Sequence, residues 1–235
     1  AWSDEIFSNI GEILFGTASP ESEAAAAEMN AYFLQRINHL RRNPNNHLLG
    51  QLVAIETEDG RLDDEELLSF CRLLLIAGNE TTTGLITASA RIFHEEPQTL
   101  AQIKQRPELS GAFVEEALRY YSPFSATVRR TTKDVELAGQ TIGAGELVVP
   151  LIASANRDER VFDAPDTFVI ERSPNPHLGM GFGIHFCLGA HLARLEGKIV
   201  VEQMAERYAQ VVLANPEKAA IGDLGGPKEL AVILG

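Results

Sequence analysis

The sequence predicts a mainly α fold with small β-sheets, and three observations carry that prediction. Apolar residues recur at helical spacing through the first 120 positions. Short strand-like stretches broken by glycines follow between 127 and 150, and one further strongly patterned helix occupies about 188–208. The 235 residues, 45% hydrophobic and 23% charged, are enough to bury a sizeable core and read as a single domain, 1–235.

Taken in order, Trp2 to Phe15 reads as a helix closed by Gly16. Ser19-Pro20 opens a second, with proline at the first helical position, where a missing N–H costs least; it runs to about Arg42. A shorter helix covers His47 to Glu56, and Asp59-Gly60 turns the chain. Asp63 then caps a long helix, with Glu66 reaching back and Leu62 and Leu67 at the staple positions. Its pattern continues to about Phe93, which is roughly 45 Å at helical rise. The middle of this helix, Leu73 to Gly78, is apolar all round and is therefore expected to be buried.

Helices near Gln98–Gln105 and Leu109–Tyr120 follow, the second ending before Ser122-Pro123. Thr127–Thr132, Val135–Leu137 and Glu146–Pro150 read as short strands joined by turns at Gly139, Gly143 and Gly145. From Asn156 to Gly189 the chain is dense in Pro, Gly, Asn and Asp, as loops are. The final helix, about Leu188–Tyr208, carries an apolar stripe at 188, 192, 195 and 199, and Val211–Leu213 with Leu230–Leu234 forms a terminal strand pair.

The net charge of −13 argues against nucleic acid and against an anionic membrane surface as partners. Most of the net negative charge lies in residues 1–100, and the remainder is close to balanced. No apolar run approaches a membrane span. The start lacks an initiator Met, a basic region and an apolar region, so no signal peptide is read there. Two cysteines, Cys71 and Cys187, cannot build a disulfide framework, which makes a reducing cytoplasm the expected location.

The segment Gly181-Phe182-Gly183-Ile184-His185-Phe186-Cys187-Leu188-Gly189 is the most informative. Its three glycines allow tight turns and close approach of the backbone to a flat ligand. Cys187 stands where the last helix begins, and free N–H groups with the helix dipole favour a thiolate able to ligate a metal. The plain alternative is a buried, inert cysteine, and a zinc site through Cys187 and His191 lacks further ligands nearby. A second segment, Ala77-Gly78-Asn79-Glu80-Thr81-Thr82, places a glycine, an acid and a hydroxyl in the middle of the long helix. That combination can open a groove and relay protons, or be an ordinary exposed turn. Glu116 and Arg119 form an i,i+3 pair of a kind usually found at the surface.

Phe182-Gly-Ile-His-Phe-Cys187-Leu-Gly189 resembles the heme-ligand loop of the cytochrome P-450 family, the heme-thiolate monooxygenases. The resemblance extends over essentially the whole chain and implies the cytochrome P-450 fold of the soluble bacterial type, lacking its amino-terminal part. It implies heme b, iron protoporphyrin with Cys187 as axial thiolate and metal ligand. His185 and Arg129 would meet heme propionates, with Arg130 competing for the second role, Phe182 would pack beside the thiolate, and Gly189 completes the loop. Glu80 would supply protons from solvent and Thr81 would hydrogen-bond dioxygen. Glu116, Arg119 and Arg172 would form a structural triad.

The activity implied is insertion of one atom of dioxygen into a small organic substrate, with electrons from a ferredoxin- or flavodoxin-type donor. Arg194 and Lys198, away from the 188/192/195/199 stripe, would face solvent and help receive that donor. Two alternatives stand beside this reading: a truncated, non-catalytic fragment that holds no heme, and a peroxide-driven peroxygenase, which the Glu80-Thr81 pair disfavours. Gly197 inside the final helix departs from good helix-forming chemistry at a cost of about 1 kcal/mol against alanine.

Overall fold

The computed structural model describes residues 2–8, 17–57, 60–216 and 230–235. The expected run of the first helix to Phe15, its closure at Gly16, and the turn at Asp59 lie outside the described residues. The chain divides into two compact units, 1–80 and 81–235.

In the first unit, helix α1 (Trp2–Ser8) packs on α2 (Pro20–Arg42), with the rings of Trp2 and Tyr32 5.4 Å apart. Ser19 begins α2 as the sequence suggests: its Oγ accepts the Ser22 N–H at 3.2 Å, with Pro20 at the first helical position. Helix α3 (Leu48–Ala54) packs on α2 and is shorter than its expected span, because Glu56–Thr57 turns into β1, paired antiparallel with β2 (Gly60–Arg61). Met29, Ile37 and Leu40 of α2 are buried.

Helix α4 (Asp64–Glu95) runs through 32 residues, starting in the first unit and ending in the second. Its start is a reciprocal capping box. The Asp63 carboxylate accepts the Glu66 N–H at 2.8 Å, and Glu66 accepts the Asp63 N–H at 2.9 Å. Arg41 of α2 adds an ion pair to Asp64 at 2.7 Å. Leu67, Leu68 and Cys71 are buried, and burial pushes the Cys71 thiol up. The middle of α4 overturns one expectation. Leu73 is 53% exposed and Leu74, Ala77 and Gly78 are also exposed, since among the described residues no element covers this apolar girdle.

The second unit holds the larger core. Helices α5 (Gln98–Gln105) and α6 (Ser110–Tyr120), linked by a 3-10 turn over Pro107–Leu109, both pack on α8 (Ala190–Arg207). Phe93 of α4 stacks on Phe113 of α6 at 4.9 Å, and Phe168 from the long loop meets Phe113 edge-on at 5.3 Å. Around these rings lie Leu85, Ile92, Ile103, Val114, Leu118, Met180 and Val201, buried as one cluster.

Three small antiparallel pairs complete the unit. β3 (Arg129–Arg130) pairs with β6 (Leu147–Val148), so that Arg129 stands opposite Val148. β4 (Val135–Leu137) pairs with β5 (Gln140–Ile142), a strand that the sequence reading does not include. Ala138 and Gly139, at φ 50° and 78°, make the turn between them. β7 (Val211–Leu213) pairs with β8 (Val232–Leu234). A single turn of helix, α7 (Ile152–Ala155), leads into the loop region.

The face of α8 that packs inward is not the expected one. Leu188, Leu192, Leu195 and Ile199 are all exposed, Leu188 at 72%. Ala190, Gly197, Val201 and Ala205 are buried instead, and these small residues let α8 approach α4 and α6 closely. Among the described residues no helix is long and apolar enough to cross a membrane.

Candidate functional site

The loop before α8 is built by its glycines. Gly181 and Gly183 sit at φ 74° and 66°, a region that a side chain disfavours, and a Cβ at Gly181 would meet the His185 carbonyl at 3.1 Å. The Leu178 carbonyl accepts the Gly181 N–H at 2.8 Å, and the Met180 carbonyl accepts the Cys187 N–H at 2.8 Å. A 3-10 turn over Gly183–His185 fills the bend, closed by the Phe186 N–H on the Gly183 carbonyl at 3.0 Å. Cys187 then hands over to α8, its carbonyl accepting the Ala190 N–H at 3.2 Å.

The result is an exposed thiol on a fixed backbone. Phe182 is 84% exposed and Ile184 97%, while Met180 is the loop's buried side chain. His185 and Gly189 are exposed as well; a Cβ at Gly189 would lie 3.9 Å from the Cys187 Sγ, so glycine keeps the space beside sulfur open. Arg129 is exposed on β3, its Nη1 donating to the Thr127 Oγ1 at 2.9 Å and the Val128 carbonyl at 2.8 Å; Arg130 donates to the Gly145 carbonyl.

On α4, Glu80 and Thr81 are consecutive and partly buried. Asn79 Nδ2 donates to the Glu80 carboxylate at 3.2 Å. Thr82, one residue further, donates to Glu196 of α8 at 3.3 Å.

Glu116, Arg119 and Arg172 come together in the core of the second unit. The Arg119 Nη2 and Nε donate to the two Glu116 oxygens at 2.7 and 2.9 Å, and both side chains are fully buried. The Arg172 Nε bridges the same oxygens at 3.0 and 3.1 Å. Glu116 also accepts the Val169 N–H at 2.9 Å and the Asn175 amide at 3.1 Å. The guanidinium of Arg119 donates further to the carbonyls of Asn156, Pro165 and Thr167, at 2.9, 2.7 and 3.0 Å. One carboxylate faces two guanidiniums, and backbone carbonyls accept further N–H groups of both, Arg172 donating to Asp163, Ala164 and Thr167; such pairing and hydrogen bonding is the condition for holding ions out of water. The triad thereby ties α6 to the loop over 156–175.

Sequence reasoning passed over the neighbour of Glu116. Glu115, about 100° around the helix, binds Arg194 through both oxygens at 2.6 and 2.9 Å and His177 at 3.1 Å. Burial alone would push its carboxyl up, but the hydrogen bonds from His177 and Arg194 and the guanidinium charge hold it down at about 2. The expectation that Arg194 waits in solvent for a docking partner is therefore corrected: it is engaged with α6 from the packed side of α8. Lys198 remains exposed, 3.8 Å from Glu202. The signal available in the sequence was the pair of consecutive acids on an amphipathic helix, which cannot both face the same way.

Fold and loop define a helix-dominated protein that presents one thiol from a glycine-shaped bend beside its last long helix. The family model for cytochrome P-450 matches residues 89–219. The biotin biosynthesis cytochrome P-450 of Bacillus subtilis (strain 168) is 39% identical over 216 residues, which are 92% of this chain and 54% of that protein. Cytochrome P-450 119 of Sulfolobus acidocaldarius is 42% identical over 207 residues, 88% of this chain and 55% of its own. The crystal structure of CYP109E1 from Bacillus megaterium in complex with testosterone superposes with a TM-score of 0.85 at 38% identity, over 99% of this chain and 63% of that one. The chain belongs to the cytochrome P-450 family, and it spans about half the length of the curated relatives it matches.

The residues present fit the family's heme. The donor is a single exposed thiol with its backbone anchored, and the space beside sulfur is kept open by Gly189. Exposed apolar side chains flank it at 182, 184 and 186, and the imidazole of His185 and the guanidinium of Arg129 are cationic or hydrogen-bonding groups suited to carboxylates.

Proposed function

We propose that this chain is the thiolate-bearing portion of a heme-dependent monooxygenase that inserts one atom of dioxygen into a small organic substrate. The observation that carries the reading is the exposed Cys187 thiol, held by the 2.8 Å bond from its N–H to Met180 within the glycine bend. Heme b, when bound, supplies the oxygen-activating iron.

The chain's own residues divide the remaining work. Cys187 would hold the heme iron through its sulfur, and His185 with Arg129 would meet the propionates. Phe182, Ile184 and Phe186 give the loop its apolar surface. Glu80 exchanges protons with solvent and Thr81 passes them on, a role suited to consecutive acid and hydroxyl groups. Glu116, Arg119 and Arg172 hold α6 against the loop over 156–175, which keeps the segment leading to the thiol in place. CYP109E1 holds testosterone in its crystal structure, and a neutral, largely apolar substrate is proposed for this protein by analogy. A ferredoxin- or flavodoxin-type donor is proposed as the electron source, and the cytoplasm as the location.

Isotope labelling tests this reading. With a donor system and labelled dioxygen, the full-length protein should place one labelled atom in the product for each molecule turned over. Product that takes its oxygen only from added hydrogen peroxide would overturn the monooxygenase reading in favour of a peroxygenase.

A further inference from the structure

We propose that Glu115 is a positioning residue for Cys187, acting as a clasp that closes the two arms of the cysteine loop onto α6. On the incoming arm it holds His177, ten residues before the cysteine, and on the outgoing arm it holds Arg194, seven residues after it.

The His177 side chain is only 4% exposed. Its Nδ1 accepts the Gly179 N–H at 3.1 Å, so the ring proton sits on Nε2 and is donated to Glu115. The imidazole therefore transmits the hold from α6 to the backbone at Gly179. There the loop is already pressed against α6: a Cβ at Gly179 would lie 2.7 Å from the Leu118 carbonyl. The Leu178 N–H is fixed to Asn156 Oδ1 at 2.7 Å. The next residue, Met180, supplies the carbonyl that accepts the Cys187 N–H. Each step from Glu115 to the cysteine backbone is a hydrogen bond or one peptide unit.

An ordinary half-exposed ion pair contributes little. This carboxylate differs because it is shared with an imidazole that is only 4% exposed. Losing Glu115 leaves that donor unpaired and frees both arms at once. The consequence for sulfur rests on the reading of Cys187 as heme ligand; the clasp itself does not.

Amide hydrogen exchange on the full 235-residue chain without heme tests the clasp directly. Glu115→Ala is expected to speed exchange in the 178–190 segment, the Cys187 amide included, by about tenfold, with amides of α5 and α6 unchanged. Unchanged exchange in that segment, or equal acceleration throughout the chain, overturns the proposal. Should Glu115→Ala not fold, Arg194→Lys keeps the charge and gives up one of the two bonds, and acceleration confined to 178–190 is again required. In the heme-loaded protein, Glu115→Ala should broaden or shift the band of the reduced carbon monoxide complex, and Lys198→Ala should leave it as in the parent. A parent protein without a thiolate-type band would refute the heme reading, while the exchange result would still decide the clasp.

Discussion

Gly197 of α8 sits so close to Leu85 of α4 that a Cβ on it would lie 2.8 Å from the Leu85 Cδ2. The same Cβ would meet both methyls of Val114 on α6 at 3.3 and 3.4 Å. The glycine that looks like a defect in the final helix is thus the point at which three helices converge, and its conformational cost is offset by their close packing.

Gly197→Ala therefore sets two effects against each other. Helix propensity favours alanine by about 1 kcal/mol, whereas overpacking among residues as buried as Leu85 and Val114 costs about 1–3 kcal/mol. The expected outcome is net destabilisation by about 1 kcal/mol in urea unfolding. Gly111 of α6 has nothing within 4 Å of its would-be Cβ, so Gly111→Ala should stabilise by about 0.5–1 kcal/mol. Equal effects at the two sites would show that α8 does not pack as described.

Glu116→Ala should yield little folded protein. The change takes the carboxylate away from two guanidinium groups, the Val169 N–H and the Asn175 amide, at a position where Glu116 and Arg119 are fully buried. Breaking a buried ion pair in this way costs about 3–5 kcal/mol. Far-ultraviolet circular dichroism and thermal unfolding of the soluble fraction measure the loss; a parent-like transition would assign the cluster to the weak, surface class.

The pH dependence of stability follows from Glu115. Its carboxyl lies at about 2 in the folded chain against an ordinary 4.5, so the carboxylate form is favoured by folding. That contribution is complete above pH 4.5 and is lost as the pH falls through the window toward about 2. Urea midpoints should fall across this window in the parent, and Glu115→Gln should remove part of that slope while changing little between its own midpoints at pH 5 and 7. A variant with the parent's slope would locate the acid sensitivity in other carboxylates.

What was legible in the sequence was local. Ser19-Pro20 and the Asp63/Glu66 box act within one helical turn, and both begin helices where their chemistry indicates. The cysteine loop was legible because its glycines and thiol lie within nine residues. Burial was less so. The stripe of Leu188, Leu192, Leu195 and Ile199 has the periodicity of a core face, yet the contacts of α8 are set by where Leu85 and Val114 stand, and those favour the small residues on the other side. Arg194 and His177 gave no sign of their roles, because both depend on Glu115, some 60–80 residues away along the chain. Side chains that meet across such separations leave no local pattern to find.

The central claim is that Cys187 is the sulfur that binds heme iron. The most direct measurement is the absorption spectrum of the heme-loaded protein, reduced under carbon monoxide, for the parent, Cys187→Ser and Cys71→Ser. A red-shifted, thiolate-type band is expected in the parent and in Cys71→Ser, and its disappearance in Cys187→Ser even where heme is retained. The same band persisting in Cys187→Ser would contradict that claim.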